Sequence, residues 1–169
     1  MLQDTENPWK IFASQINAQY SISEEGTSQV IGEYRDYKFQ LKIVFIQAAP
    51  KVNLFLTHFD LFLHEPTELK LKIYREGIIQ KLTKLFGTKD IIFGDRTFDK
   101  RYIIEGSHED KIKTLITPKI RATIIELGEI MIILDGKKFS YEQSGKIIDI
   151  QKLYKVLDLL VELANGVQQ

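Results

Sequence analysis

Three aspartates, Asp90, Asp95 and Asp99, fall in one short stretch, Asp90-Ile-Ile-Phe-Gly-Asp-Arg-Thr-Phe-Asp-Lys-Arg-Tyr-Ile-Ile-Glu-Gly106. Carboxylates are the groups that hard cations and general acid–base chemistry require. Asp95 and Asp99, with Arg96 or Arg101, could therefore serve a metal-dependent or acid–base enzyme. Their spacing does not match a calcium loop, and on an extended chain they share a face about 13 Å apart, too far for one ion unless the backbone folds at Gly94. The same residues also have a structural reading. Asp95 follows a glycine and is placed to cap a turn, and Asp99 to pair with a neighbouring Lys or Arg. In that reading Phe98, Tyr102 and Ile104 occupy the inward face of a strand, with Lys100 on the other.

Other chemistry is sparse. His58 lies in an apolar run and reads as a hydrogen-bonded or edge residue, while His64 and His108 fall in turns and read as solvated. No His-Glu-x-x-His pair occurs, and with no cysteine the usual zinc spacings, thiolate nucleophiles and disulfides are absent. Ser107-His108-Glu109 are adjacent, so their side chains diverge, and there is no Gly-x-Ser-x-Gly elbow. Gly136-Lys137-Lys138 lacks the upstream glycine and following hydroxyl of a phosphate loop. No catalytic residue and no cofactor is assigned. Lys70 and Lys72 read as the solvent parity of an antiparallel edge strand, not as a nucleic-acid surface.

The pattern Gly94-Asp95-x-x-Phe98-Asp99-x-x-Tyr102, followed by Leu115-Ile116-x-Pro118-x-Ile120-Arg121, resembles one shared by a group of uncharacterised bacterial proteins. The resemblance extends to Trp9-x-x-Phe12-Ala13, Gly32-x-Tyr34, Leu71-x-Ile73-Tyr74 and Leu160-Val161-x-Leu163-Ala164, most of the chain. That family carries no assigned reaction. The resemblance therefore implies a shared fold and transfers no catalytic role to any residue.

The elements that would position these groups follow from hydrophobic period. Asn7-Pro8 is a helix start, and Trp9, Phe12, Ala13, Ile16 and Tyr20 recur at helical spacing behind it, with a loop over 21–28. From Val30 the period becomes two: a hairpin through Tyr34-Arg-Asp-Tyr37, an alternating run from Phe39 to Phe45, a strand over 52–63 after Pro50, and a fourth strand at 69–74 expected antiparallel to the third. Ile78 to Phe86 reads as a helix ending at Gly87. Ser107 to Asp110 has capping-box spacing, and Thr117-Pro118 opens a further helix closed by Gly128. Asp135-Gly136 predicts a type I′ hairpin, and Asp149 caps a last helix ending near Asn165-Gly166.

These elements predict an α+β fold: mainly antiparallel sheet built from consecutive hairpins, with amphipathic helices packed on one face. One domain spanning 1–169 is expected from the length and the lack of a linker. With 23 basic and 23 acidic side chains the net charge is zero, so no global field attracts nucleic acid. No secretory signal and no membrane-spanning segment is read, and cytoplasmic placement is expected. The functional expectation is a non-catalytic module binding a protein or small molecule, with self-association left open. An enzyme built on Asp95 and Asp99 is the alternative.

Overall fold

The computed structural model describes residues 7–75 and 90–169. The helix predicted at 78–86 lies outside the described residues. The fold is α+β: among the described residues eight strands form one sheet in the order β1-β2-β3-β4-β8-β7-β5-β6, and every ladder is antiparallel. The strands are β1 (Gln19–Ile22), β2 (Ser28–Tyr34), β3 (Tyr37–Ala49), β4 (Val52–Phe62), β5 (Leu71–Arg75), β6 (Tyr102–Gly106), β7 (Met131–Asp135) and β8 (Lys138–Ser144). The helices are α1 (Pro8–Gln15), α2 (Arg96–Asp99), α3 (Glu109–Leu115), α4 (Pro118–Leu127) and α5 (Ile150–Gln168).

Register places Val30, Leu41, Phe59, Tyr141, Ile132, Ile73 and Ile104 in one row across seven strands, and all are fully buried. An apolar row on one face must be covered, and α5 presents Leu153, Val156, Leu157, Leu160 and Ala164 as a buried stripe that shares the core with it. Asp149 starts that helix by accepting the N–H groups of Gln151 and Lys152. Gly166 does not end it: α5 continues to Gln168, and a Cβ at 166 would stand 2.5 Å from Leu115 Cδ1. The glycine serves close approach of α5 to α3. Trp9 is fully buried at the other end, its Nε1 donating to the Ile147 carbonyl at 2.7 Å.

Several expectations are corrected. α1 stops at Gln15, Asn17 takes φ 56°, and Tyr20 lies in β1, a strand the helical spacing concealed. β5 does not pair with β4. Leu63 N–H and Thr67 N–H donate to the carbonyls of Lys137 and Gly136, so the connector crosses the end of the β7–β8 hairpin. That hairpin fills the place beside β4, and β5 enters between β7 and β6. Lys72 is accordingly on an interior strand and buried, its Nζ 4.7 Å from the centre of the Tyr74 ring. The capping box does not form: Ser107 Oγ accepts from Lys70 N–H, and His108, at φ 60°, precedes α3 without a side-chain cap.

Positive φ at the β7–β8 turn falls on Gly136 alone, the pattern of type II′ and not I′. The I′ pattern, positive φ at both central residues, occurs instead at Arg35 and Asp36 between β2 and β3, without glycine. Two non-glycine residues in the left-handed region cost on the order of 1 kcal/mol each. The register they connect stays in place because Tyr37 and Phe39, immediately after the turn, are buried.

Candidate functional site

The acidic motif lies at the β6 edge of the sheet. Gly94 takes φ 79° and turns the chain, and Asp95 then acts as N-cap of α2, its Oδ1 accepting Phe98 N–H at 3.2 Å. The expected continuous strand through Phe98 is therefore a turn of helix followed by β6, because the cap holds the backbone helical from Arg96 to Asp99. Phe98 is still buried, stacked on Tyr102 at 5.2 Å and edge-on to Phe93 at 5.6 Å. Tyr102 Oη donates to the carbonyls of Gly128 and Ile124, closing the end of α4.

The ion pair falls on the other aspartate from the one expected. Asp99 Oδ1 accepts Phe93 N–H at 3.0 Å, whereas Asp95 Oδ2 takes Arg121 Nε at 3.1 Å. Arg121 also donates to the Ile116 carbonyl and lies over the Phe93 ring. The Phe98 N–H first, and then the Arg121 guanidinium, hold the Asp95 carboxyl below the usual carboxylate range. Asp90 Oδ1 accepts Ile104 N–H at 2.9 Å. Each of the three carboxylates thus faces main-chain amide groups of its own neighbourhood. Among the described residues no cluster of three His, Asp or Glu side chains is placed to hold a metal ion.

A second polar centre lies on the sheet face opposite α5. His58 and Asp60 are two apart on β4 and so share that face, and β8 brings Glu142 and Ser140 directly opposite them. His58 Nε2 is 3.0 Å from Asp60 Oδ1, and Nδ1 is 2.9 Å from Glu142 Oε1. Ser140 Oγ donates to Asp60 Oδ1 at 2.6 Å, and Lys138 Nζ pairs with the same oxygen at 3.0 Å. Burial pulls the imidazole toward its neutral form, but hydrogen bonds and charge from Asp60 and Glu142 outweigh it and raise the His58 pKa. Burial likewise pushes Asp60 up, and the hydrogen bonds from His58, Ser140 and Lys138 prevail and hold it well below the carboxylate range.

This constellation contains Ser, His and Asp without being a nucleophilic triad. In a triad the serine donates to a histidine nitrogen that is free to accept. Here Ser140 donates to the aspartate, and both imidazole nitrogens face carboxylates. The arrangement favours an imidazolium joining two strands across 84 positions of sequence. Sequence reading found the hydrogen-bonded character of His58 but neither partner. The available signal was parity: His58 and Asp60 in one strand, Lys138, Ser140 and Glu142 in another, all polar on the face opposite the apolar row. His64 is exposed and stacks on Tyr37 at 4.5 Å, and His108 is exposed.

The third feature is apolar. β3 and β4 pair from Phe39–Leu61 out to Ala49–Val52, but the β2 ladder on β3 ends at Lys42 and the β8 ladder on β4 ends at Thr57. Beyond those points the hairpin continues as an arm that, among the described residues, no further strand ladder flanks; the Leu56–Gly145 bridge and the packing of Ile43 on the core lie at its base. From Ile43 to Ala49 it projects about 20 Å at ~3.3 Å per residue. Phe45 is 58% exposed, Phe55 46%, Ile46 42% and Leu54 46%. Phe45 faces Phe55 and Ile46 faces Leu54 across the ladder, so both faces of the arm are apolar.

No family model matches the chain, and no curated protein matches it. Among solved structures, the crystal structure of the mycobacterial trehalose monomycolate transport factor A, TtfA, is similar with a TM-score of 0.65 at 9% sequence identity, over 96% of this chain and 93% of that one. The likeness is one of fold. Among the described residues no helix is long and apolar enough to cross a membrane.

Proposed function

We propose that the protein is a non-catalytic interaction module whose contact element is the β3–β4 arm, acting in a transport-associated setting of the kind named for its structural neighbour. The observation that carries this reading is the exposure of Phe45, Ile46, Leu54 and Phe55 on a ribbon that no strand flanks among the described residues. A lone two-stranded hairpin is marginal in water, and apolar side chains concentrated on both of its faces are the usual mark of a surface that a partner covers. Two further supports are chemical. The motif residues Gly94, Asp95, Phe98, Asp99 and Tyr102 serve the fold in this reading, since the carboxylates accept main-chain N–H groups. His58 is not available as a base, because a carboxylate faces each ring nitrogen. The expected family, the single domain and the cytoplasmic compartment belong to the same proposal.

The test is photo-crosslinking in the native host, with benzoylphenylalanine replacing Phe45 or Phe55 in turn. Phe62 is the control, because it is 40% exposed on β4 but lies beside β8 and not on the arm. Discrete adducts from positions 45 and 55, and none from 62, are expected. No adduct at any position, or equal labelling at all three, contradicts the reading.

A further inference from the structure

We infer that the partner of the arm is a second copy of this chain, docked about a twofold axis; the inference rests on the interaction reading above and names its occupant. The patch extends past the arm itself. Ile22, 55% exposed, ends β1 at the same end of the sheet, and the pairings Ile22–Ser28, Val30–Leu41 and Leu41–Phe59 put it on the face that carries Phe45 and Phe55. Ile148, 67% exposed, follows Gly145 and Ile147, which are hydrogen-bonded to Phe55 and Thr57 of β4. At about half exposure each, Ile22, Phe45, Phe55 and Ile148 present on the order of 400 Å² of apolar surface, within the range a monomer leaves in one patch, while Ile46 and Leu54 lie on the opposite face of the arm. With a polar rim this approaches the ~800 Å² per partner of a specific dimer.

Charge decides for a second copy. The β1–β2 turn on one flank carries Glu24 and Glu25, both exposed, and the apex of the arm on the other carries Lys51, also exposed. None of the three is in an ion pair among the described residues. No other charged residue lies between Lys42 and His58. A self-docking surface must complement itself under rotation by 180°, and a patch with acid at one end and base at the other does so, with Lys146, whose Nζ donates to Ser28 Oγ beside Ile22, as a cation between them. The rotation sets Lys51 of each copy against the acidic turn of the other and Phe45–Phe55 against Phe45–Phe55. An anionic bilayer fits less well, since Glu24 and Glu25 would face it and the Gln47–Asn53 rung and Lys51 lie deeper along the arm than the aromatic rung.

The experiment is sedimentation equilibrium of the purified chain from 1 to 100 μM, which should give a mass rising to twice the 19.6 kDa of one chain. Phe45→Ser with Phe55→Ser should remain monomeric throughout, with an unchanged far-ultraviolet spectrum and, at concentrations where the wild type is monomeric, the wild-type melting temperature. Lys51→Glu should weaken association at least tenfold. Glu24→Lys with Glu25→Lys should do the same, and the three substitutions combined should restore it. Restoration is the signature of opposed charges across a twofold that no general apolar stickiness reproduces. A chain monomeric to 100 μM, association indifferent to the charge changes, or a monomer that pellets with vesicles of anionic lipid overturns the inference. If the chain is monomeric and the cellular adducts from positions 45 and 55 carry a different protein, the interaction reading stands and the second copy falls.

Discussion

The two acidic centres use similar residues in different ways. At the sheet edge, Asp90, Asp95 and Asp99 lie close in sequence and accept main-chain N–H groups, Asp95 and Asp99 within the turn itself and Asp90 from Ile104 on β6. At the sheet centre, Asp60 is buried and takes its partners from side chains: His58 on its own strand, Lys138 and Ser140 on β8. The caps made by Asp95 and Asp99 need little more than chain direction and a glycine, although Arg121 of α4 also pairs with Asp95. The second arrangement exists only once β8 has docked beside β4. A dense acidic motif can therefore be a folding device, while the group whose protonation matters most arises from residues that no local pattern connects.

The comparison can be broken from either side, and the largest effect is expected at the motif's aromatic member. Phe98→Ala removes a fully buried ring packed between Phe93 and Tyr102, and should cost about 3–5 kcal/mol, read as a drop in the urea midpoint. A loss under 1 kcal/mol would show that the aromatic stack does not anchor β6. His58→Ala comes next. It leaves Glu142 without its hydrogen-bonding partner and Asp60 with Lys138 and Ser140 only, and about 3 kcal/mol is expected.

The same centre sets a pH dependence. The raised His58 pKa means that its contribution is complete below the ordinary histidine value and is lost as pH rises through the folded value. The lowered Asp60 pKa contributes above the ordinary carboxylate value and is lost as pH falls through the folded value. Melting temperature should therefore decline from about pH 6 toward pH 9, on the alkaline side of the histidine range, and the decline should be absent in His58→Ala. An identical profile in that variant would show that another group titrates there.

Much of the outline was legible in local chemistry. Asn7-Pro8, Thr117-Pro118 and Asp149 start helices where capping predicts, and Phe39 to Leu41 alternates as a half-buried strand does. The strand order was not legible, because the decisive bonds from Leu63 and Thr67 to the β7–β8 turn join residues about 70 positions apart. Lys72 misled for the same reason: a lysine at alternating spacing reads as solvent-facing until β7 and β6 are known to flank it. The His58 centre was hidden by sequence distance alone.

Smaller effects sharpen the contrast. Gly136→Val places a branched Cβ at φ 60° and should cost about 1 kcal/mol or more; an unchanged urea midpoint would mean the turn relaxes into another type. Asp95→Asn retains an acceptor for Phe98 N–H but loses the charge that faces Arg121, so a loss smaller than that of Phe98→Ala or His58→Ala is expected. Calcium, magnesium or manganese should leave the wild-type melt unmoved. A rise with one ion that Asp95→Asn abolishes would promote the motif to a metal site.

The central claim, that contact belongs to the arm and the acidic motif serves the fold, is tested most directly by the cellular adduct formed from a photo-crosslinker at position 55, compared in two backgrounds at matched levels of folded protein. Phe45→Ser should abolish the adduct while leaving the melting temperature unchanged, and Asp95→Asn should lower the melting temperature slightly while leaving the adduct at wild-type yield. An adduct lost in Asp95→Asn and retained in Phe45→Ser would contradict the account.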